Sequence, residues 1–137
     1  MPHLRDVRAL TLEAAKAIAA AAEQFALERG WTVAVAVVDT AGGLMLFHCL
    51  EDTQPASQEL AVLKARTAVR FHRPSKALED GIAGGRTALL SLPDMLALEG
   101  GLPIKSDGKV VGAVGVSGMT STQDGEVAAA GLAALRL

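Results

Sequence analysis

The stretch from Gly100 to Gly118 constrains the fold most, because it combines two apolar segments with the residues of a tight turn. Asp107-Gly108 separates the two segments, and an Asp-Gly pair in that setting is typical of a β-hairpin. Gly112 and Gly115 lie in the second segment. A strand residue without a side chain indicates that a ligand or another backbone approaches closely.

The rest of the chain predicts helices alternating with hairpins. Two hairpins separated by helices favour an antiparallel sheet, so the predicted fold class is α+β, in a single domain over residues 1–137. We predict a helix over Thr11–Arg29, strands over Thr32–Val38 and Leu44–Leu50, a helix from Pro55 to about His72, a short helix over Ser75–Glu79, an edge strand over Met95–Leu98, hairpin strands over Leu102–Ser106 and Val110–Ser117, and a last helix to about Leu135.

Composition excludes several classes of partner. The net charge of -2 gives no basic excess for phosphate contacts, so we expect no nucleic-acid partner. No apolar run is long enough to span a bilayer and the amino terminus is not signal-like, so we expect no membrane partner and a cytoplasmic location. The single cysteine, Cys49, excludes an internal disulfide framework.

The last predicted helix indicates self-association. Ser121 and Asp124 match a capping box at its start, and the residues from Val127 onward are almost all small and apolar. A helix with so little polar surface is expected to be buried on more than one side. In a small chain a second subunit would supply the second cover, so we predict a homo-oligomer.

Common catalytic and cofactor motifs are absent from the sequence. The glycines of the second hairpin do not have the spacing of a dinucleotide fingerprint, and Ile104 stands where a P-loop requires glycine. Neither a zinc ligand set of standard spacing nor a Gly-x-Ser-x-Gly elbow is present.

Lys64 is the most unusual residue of the second predicted helix. It borders a side of small residues (Ala61, Ala65 and Ala68) rather than the opposite side, which carries the arginines. From that position its ammonium could reach a carboxylate or propionate beneath the glycine-rich strand, and it is our candidate catalytic group. The alternative is that its stem lies along the helix and its ammonium contacts water.

Several sequence blocks in fixed order resemble the GlcG/HbpS haem-binding (haem-degrading) family, which includes the carboxy-terminal domain of PduO-type proteins. The resemblance extends from about Leu10 to the end of the chain. The blocks are Val35-Ala36-Val37-Val38-Asp39-x-x-Gly42, Lys64-Ala65-x-Thr67-Ala68, Gly100-Gly101-Leu102-Pro103-Ile104, Asp107-Gly108, Gly112-Ala113-Val114-Gly115-Val116-Ser117-Gly118 and Asp124.

This resemblance implies a profilin-like or PAS-like α-β-α fold with a five-stranded antiparallel sheet. It also implies binding of haem or a cobalamin-related cofactor, and assembly into dimers or larger oligomers up to octamers. The chain departs from the family pattern after the second strand, where Cys49-Leu50-Glu51 replaces the usual Arg-Met-Asp.

The resemblance and the residues together predict a haem cleft beside the glycine-rich strand. His48 and His72 are the candidate iron ligands, and Cys49 is a third. His48 and Cys49 are neighbours in a strand, so they face opposite sides of the sheet. Each has a structural alternative: Cys49 as a small core residue, His48 as a surface residue and His72 as a packed or capping residue. The predicted cofactor-binding set is His48, Cys49, Lys64, His72, Gly115, Ser117 and Gly118.

The sequence leaves two alternatives to a haem-binding module open. One is a small catabolic lyase or isomerase acting on a carboxylated substrate, with Lys64 or a histidine as general acid or base. The other is an oligomer without a ligand, in which the glycines exist to let backbones approach. Side chains filling the space over Gly112 and Gly115 would favour this last alternative.

Overall fold

The computed structural model describes residues 2–137 and shows an α+β fold. Its helices are α1 (Leu12–Glu28), α2 (Ala56–Phe71), α3 (Ser75–Ala83) and α4 (Ser121–Leu132), and its strands are β1 (Ala34–Val38), β2 (Leu44–Cys49), β3 (Gly101–Ser106) and β4 (Lys109–Ser117). A short 3₁₀ helix covers Thr87–Ser91. Within residues 2–137, no helix is long and apolar enough to cross a membrane.

The four strands form one antiparallel sheet in the order β2-β1-β4-β3. The predicted antiparallel α+β class is therefore confirmed, whereas the predicted fifth strand is wrong for the described residues. The segment proposed for it, Met95–Leu98, pairs with no strand. Its Leu96 N–H instead donates to Thr67 Oγ1 of α2 at 2.9 Å, which satisfies that amide outside the sheet.

Both faces of the sheet are covered because β1 alternates between two apolar clusters. Val35 and Val37 pack with α1 and α4, whereas Ala34, Ala36 and Val38 pack with α2. Valine faces the first pair of helices, and the smaller alanines dominate opposite α2. The small side chains bring α2 close to the sheet, which decides the geometry of the candidate site.

Two helix ends differ from the prediction for identifiable reasons. Helix α4 is capped by Thr120, whose Oγ1 accepts from Gln123 N at 3.2 Å, and not by the predicted Ser121–Asp124 pair. The Asp124 carboxylate points inward instead and is buried. Helix α3 continues to Ala83, past the predicted end at Glu79, because the glycine at position 81 stays helical.

Candidate functional site

The glycine-rich strand β4 lies directly against the backbone of α2. A Cβ at Gly115 would overlap Ala61 O and lie 2.5 Å from Ala65 N, so only glycine allows this approach. Gly101 on β3 meets the backbone of Lys64 in the same way. The gap predicted between the glycine strand and the Lys64 helix is therefore filled by protein, and a ligand cleft at Gly115 is not present.

Gly112 has a different neighbour from Gly115. A Cβ there would lie 2.6 Å from Val38 O and 3.3 Å from Leu10 Cδ2. The approach at this position is thus to the neighbouring strand and the segment before α1. The space over both glycines is filled mainly by backbone atoms, not by the side chains expected, and the contact is thus a close approach of backbones.

Lys64 is buried and forms an ion pair inside the protein. Its side chain is only 2% exposed, and its Nζ lies 3.0 Å from Asp124 Oδ2. The same ammonium donates to Val116 O at 3.0 Å. Lys64 therefore links α2, β4 and α4, and an ammonium enclosed in this way does not reach a substrate in this conformation.

Asp124 is held by two groups of the chain in a buried setting. Its Oδ1 accepts from Met119 N at 2.9 Å while its Oδ2 accepts from Lys64 Nζ. Burial raises the pKa of the Asp124 carboxyl above its ordinary value, and the Met119 N–H and the Lys64 ammonium only partly oppose that rise. Spacing alone placed Asp124 at a helix cap, but its inward direction depends on a buried partner 60 residues earlier.

Ser117 and Gly118, predicted to contact a cofactor, lie in the packed end of β4. Ser117 Oγ is within 3.1 Å of Ser57 Oγ on α2, and Ser117 is 3% exposed. A Cβ at Gly118 would overlap Thr32 O and lie 2.8 Å from Val33 Cα. Both positions are explained by contacts within the chain.

His48 lies on the exposed edge strand β2 and has an acidic partner. It faces the α1 side of the sheet, because it pairs with Val35 of that cluster. Its Nδ1 is in close contact with Glu23 Oε1 on α1, and its side chain is 49% exposed. A carboxylate on one ring nitrogen fixes the orientation of an imidazole and leaves the other nitrogen for a ligand. Sequence reasoning did not identify Glu23.

Cys49 and His72 are both exposed, and neither shares the face of the sheet on which His48 lies. Cys49 pairs with Ala34 and faces the α2 side of β2, so the predicted opposition of His48 and Cys49 is present in the sheet. His72 caps α2 in a left-handed conformation, with φ of 53°, and is exposed instead of continuing the alanine face. Neither histidine is brought to the other by the fold. No group of three or more potential metal-binding side chains occurs among residues 2–137.

An open groove of about 470 Å³ runs between β2 and α2. Its apolar wall comes from Leu44 and Phe47 on the strand and from Val62 and Leu63 on the helix. Its polar lining is Gln58, Glu59 and Arg66. Sequence reasoning placed the arginines on a charged side of α2 but could not show that an apolar hollow lies beside them.

The α+β architecture of this chain is shared by solved structures that include a complex with haem. The chain belongs to the family described as haem-degrading, HbpS-like proteins, whose family model matches residues 10–133. The resemblance drawn from the sequence blocks is thereby confirmed.

Individual relatives extend this similarity over most of the chain. Protein GlcG of Escherichia coli is 40% identical over 108 residues, which is 79% of this chain and 81% of GlcG. Among solved structures, a double mutant of HbpS from Streptomyces reticuli is 36% identical, with a TM-score of 0.90 over 98% of this chain and 92% of that one. A complex of PduOC with haem is 28% identical, with a TM-score of 0.85 over 93% of this chain and 96% of that one.

Proposed function

We propose that this protein is a small-molecule binding protein of the HbpS type whose ligand is haem, bound at the exposed edge strand β2. Family membership supports the class of ligand, because the related PduOC has been solved as a haem complex. The observation that carries the proposal is the placement of two exposed candidate iron ligands, His48 and Cys49, on this strand.

The donor set of β2 fits haem iron. Imidazole and thiolate are both common protein ligands of haem iron. His48 is oriented by Glu23, whereas the Cys49 thiol makes only a long contact of 3.7 Å to Leu50 O. His72 is a third exposed donor, but it lies at the far end of α2. Bound haem would supply a redox-active iron that such side chains could ligate.

The residues of this chain would bind and orient the cofactor rather than perform acid–base chemistry on it. Lys64, the predicted catalytic group, is enclosed by Asp124 and the Val116 carbonyl, so it contributes a rigid support behind the sheet. This geometry does not favour the lyase or isomerase alternative.

A haem titration tests the proposal and identifies the side chain that ligates the iron. We expect the purified protein to bind ferric haem with a shifted Soret band, and either His48→Ala or Cys49→Ala to lower the affinity at least tenfold. His72→Ala is the matched control and is expected to bind like the parent protein. The absence of a Soret shift in the parent protein would refute haem binding. Affinity equal to that of the parent protein in both His48→Ala and Cys49→Ala would exclude β2 as the source of the iron ligand.

We propose further that the protein works as a homo-oligomer in the cytoplasm. Support for association comes from the last turn of α4, where the residue exposed after Glu126 is the small Ala129, while Val127 and Ala128 are buried inward. Such a smooth, weakly polar surface suits close packing against a second subunit. Support for the compartment comes from Cys49, an exposed free thiol that a reducing environment would keep unpaired.

A further inference from the structure

We propose that the groove between β2 and α2 receives the porphyrin ring, and that Arg66 and Arg70 bind its two propionate groups. This inference rests on the proposed haem binding and adds the place and orientation of the ligand. It uses the face of β2 opposite to His48.

The apolar wall of the groove suits the flat, apolar face of a porphyrin. Leu44 is 49% exposed although it is a leucine in a strand, and Phe47, Val62 and Leu63 are only partly buried. These four side chains belong to both elements, so a ring placed between them would be contacted by strand and helix together. The groove volume of about 470 Å³ lies within the range of roughly 300–1,000 Å³ typical of small-molecule sites.

The charged residues of α2 make the two ends of the groove different in charge. Arg66 Nε donates to Gly42 O at 2.9 Å, and the Arg70 side chain lies against the same glycine. Two residues four apart on a helix have Cβ atoms about 6 Å from each other, so both guanidinium groups stand at one end. Glu59 lines the groove seven residues earlier, about 10 Å along the helix. A dicarboxylate would therefore place its propionates at the arginine end, away from Glu59.

The other face of β2 lacks these features. Met45 and Leu46 on that side pack into the cluster formed with α1 and α4, and His48 is in contact with Glu23. Cys49, in contrast, lies on the groove face two residues beyond Phe47. Apolar surface, guanidinium groups and an exposed thiol thus occur together on the α2 side of β2.

Metal-free protoporphyrin IX separates ring binding from iron ligation. We expect the parent protein to bind it, measured by the change in porphyrin fluorescence, and Leu63→Glu to weaken binding at least tenfold because it places a charge in the apolar wall. Leu90→Glu is the matched control, since Leu90 is a leucine of the 3₁₀ helix that is 68% exposed and outside the groove. Equal affinity of Leu63→Glu and the parent protein would overturn the inference.

The arginine contact has its own variant and its own probe. We expect Arg66→Ala/Arg70→Ala to weaken protoporphyrin IX binding about tenfold, and Arg66→Lys/Arg70→Lys to restore part of it. Binding of the dimethyl ester, which lacks the carboxylates, is expected to be the same in all of these proteins. Arg86→Ala, at an exposed arginine after α3, is the control. An equal loss for acid and ester would overturn the propionate assignment.

The comparison of haem with protoporphyrin distinguishes this inference from the proposed function. If the protein binds haem but not the metal-free ring, iron ligation alone carries the affinity and the groove assignment is overturned. If the protein binds neither haem nor protoporphyrin IX, both the proposed haem binding and the groove assignment are refuted.

Discussion

Asp124→Asn is expected to lower the free energy of unfolding by about 3 kcal/mol, because it leaves the buried Lys64 ammonium without its counter-ion. The asparagine keeps the shape of the side chain, so packing changes little. Breaking a buried ion pair from one side typically costs about 3–5 kcal/mol. We expect the lower end, because burial, which raises the pKa of Asp124, already penalises the ionised carboxylate. Urea denaturation followed by circular dichroism measures the loss.

Two further variants isolate the ion pair in this experiment. Glu126→Gln removes an exposed carboxylate two residues along the same helix and is expected to change stability by less than about 0.5 kcal/mol. Lys64→Met/Asp124→Leu replaces both charges by apolar groups and is expected to recover most of the loss, since neither charge is then left alone. Asp124→Asn unfolding at the same urea concentration as Glu126→Gln would show that the pair does not support the fold.

Gly115→Ala is expected to destabilise the protein by about 3 kcal/mol or more, because the new Cβ would overlap the backbone of α2. The atoms it meets are Ala61 O and Ala65 N, and a helix backbone cannot rotate aside as a flexible side chain can. The helix must move away from β4 or the chain must remain unfolded. Thermal melting and the yield of folded protein measure the effect.

Gly108→Asn supplies the control for the glycine strand. Gly108 has φ of 76° and no atom within 4 Å of a Cβ built on it, and asparagine tolerates the left-handed region better than most residues. We expect a loss of less than about 1 kcal/mol. If Gly115→Ala were as mild as Gly108→Asn, the contact between α2 and β4 would be looser than the structure shows.

The glycine hairpin shows how far sequence alone led. Asp107-Gly108 and the apolar segments around it predicted β3 and β4 correctly, because turn chemistry and strand pattern are local properties. Gly112 and Gly115 in the second segment also predicted that a ligand or another backbone lies close to this strand. Whether Gly115 contacts a helix or a ligand depends on long-range packing. In the structure, Gly115 contacts the backbone of α2.

Lys64 illustrates the same limit for the candidate site. Its position beside the alanines was identified as unusual, and its ammonium was expected to reach a carboxylate or propionate of a bound ligand. The partner is Asp124 of this chain, whose distance in sequence gave no signal. Glu23 beside His48 and the arginines beside the β2–α2 groove also depend on tertiary contacts, so they became visible only in the folded chain.

The bonds of Lys64 have a consequence for how the protein opens. Because one ammonium holds α2, β4 and α4 together, these three elements should lose their protection in a single cooperative event in native-state hydrogen exchange. Strand β2 pairs on one side only, so its amides should exchange through smaller, local openings. Strand β2, which carries His48 and Cys49, would then open locally while α2, β4 and α4 remain closed.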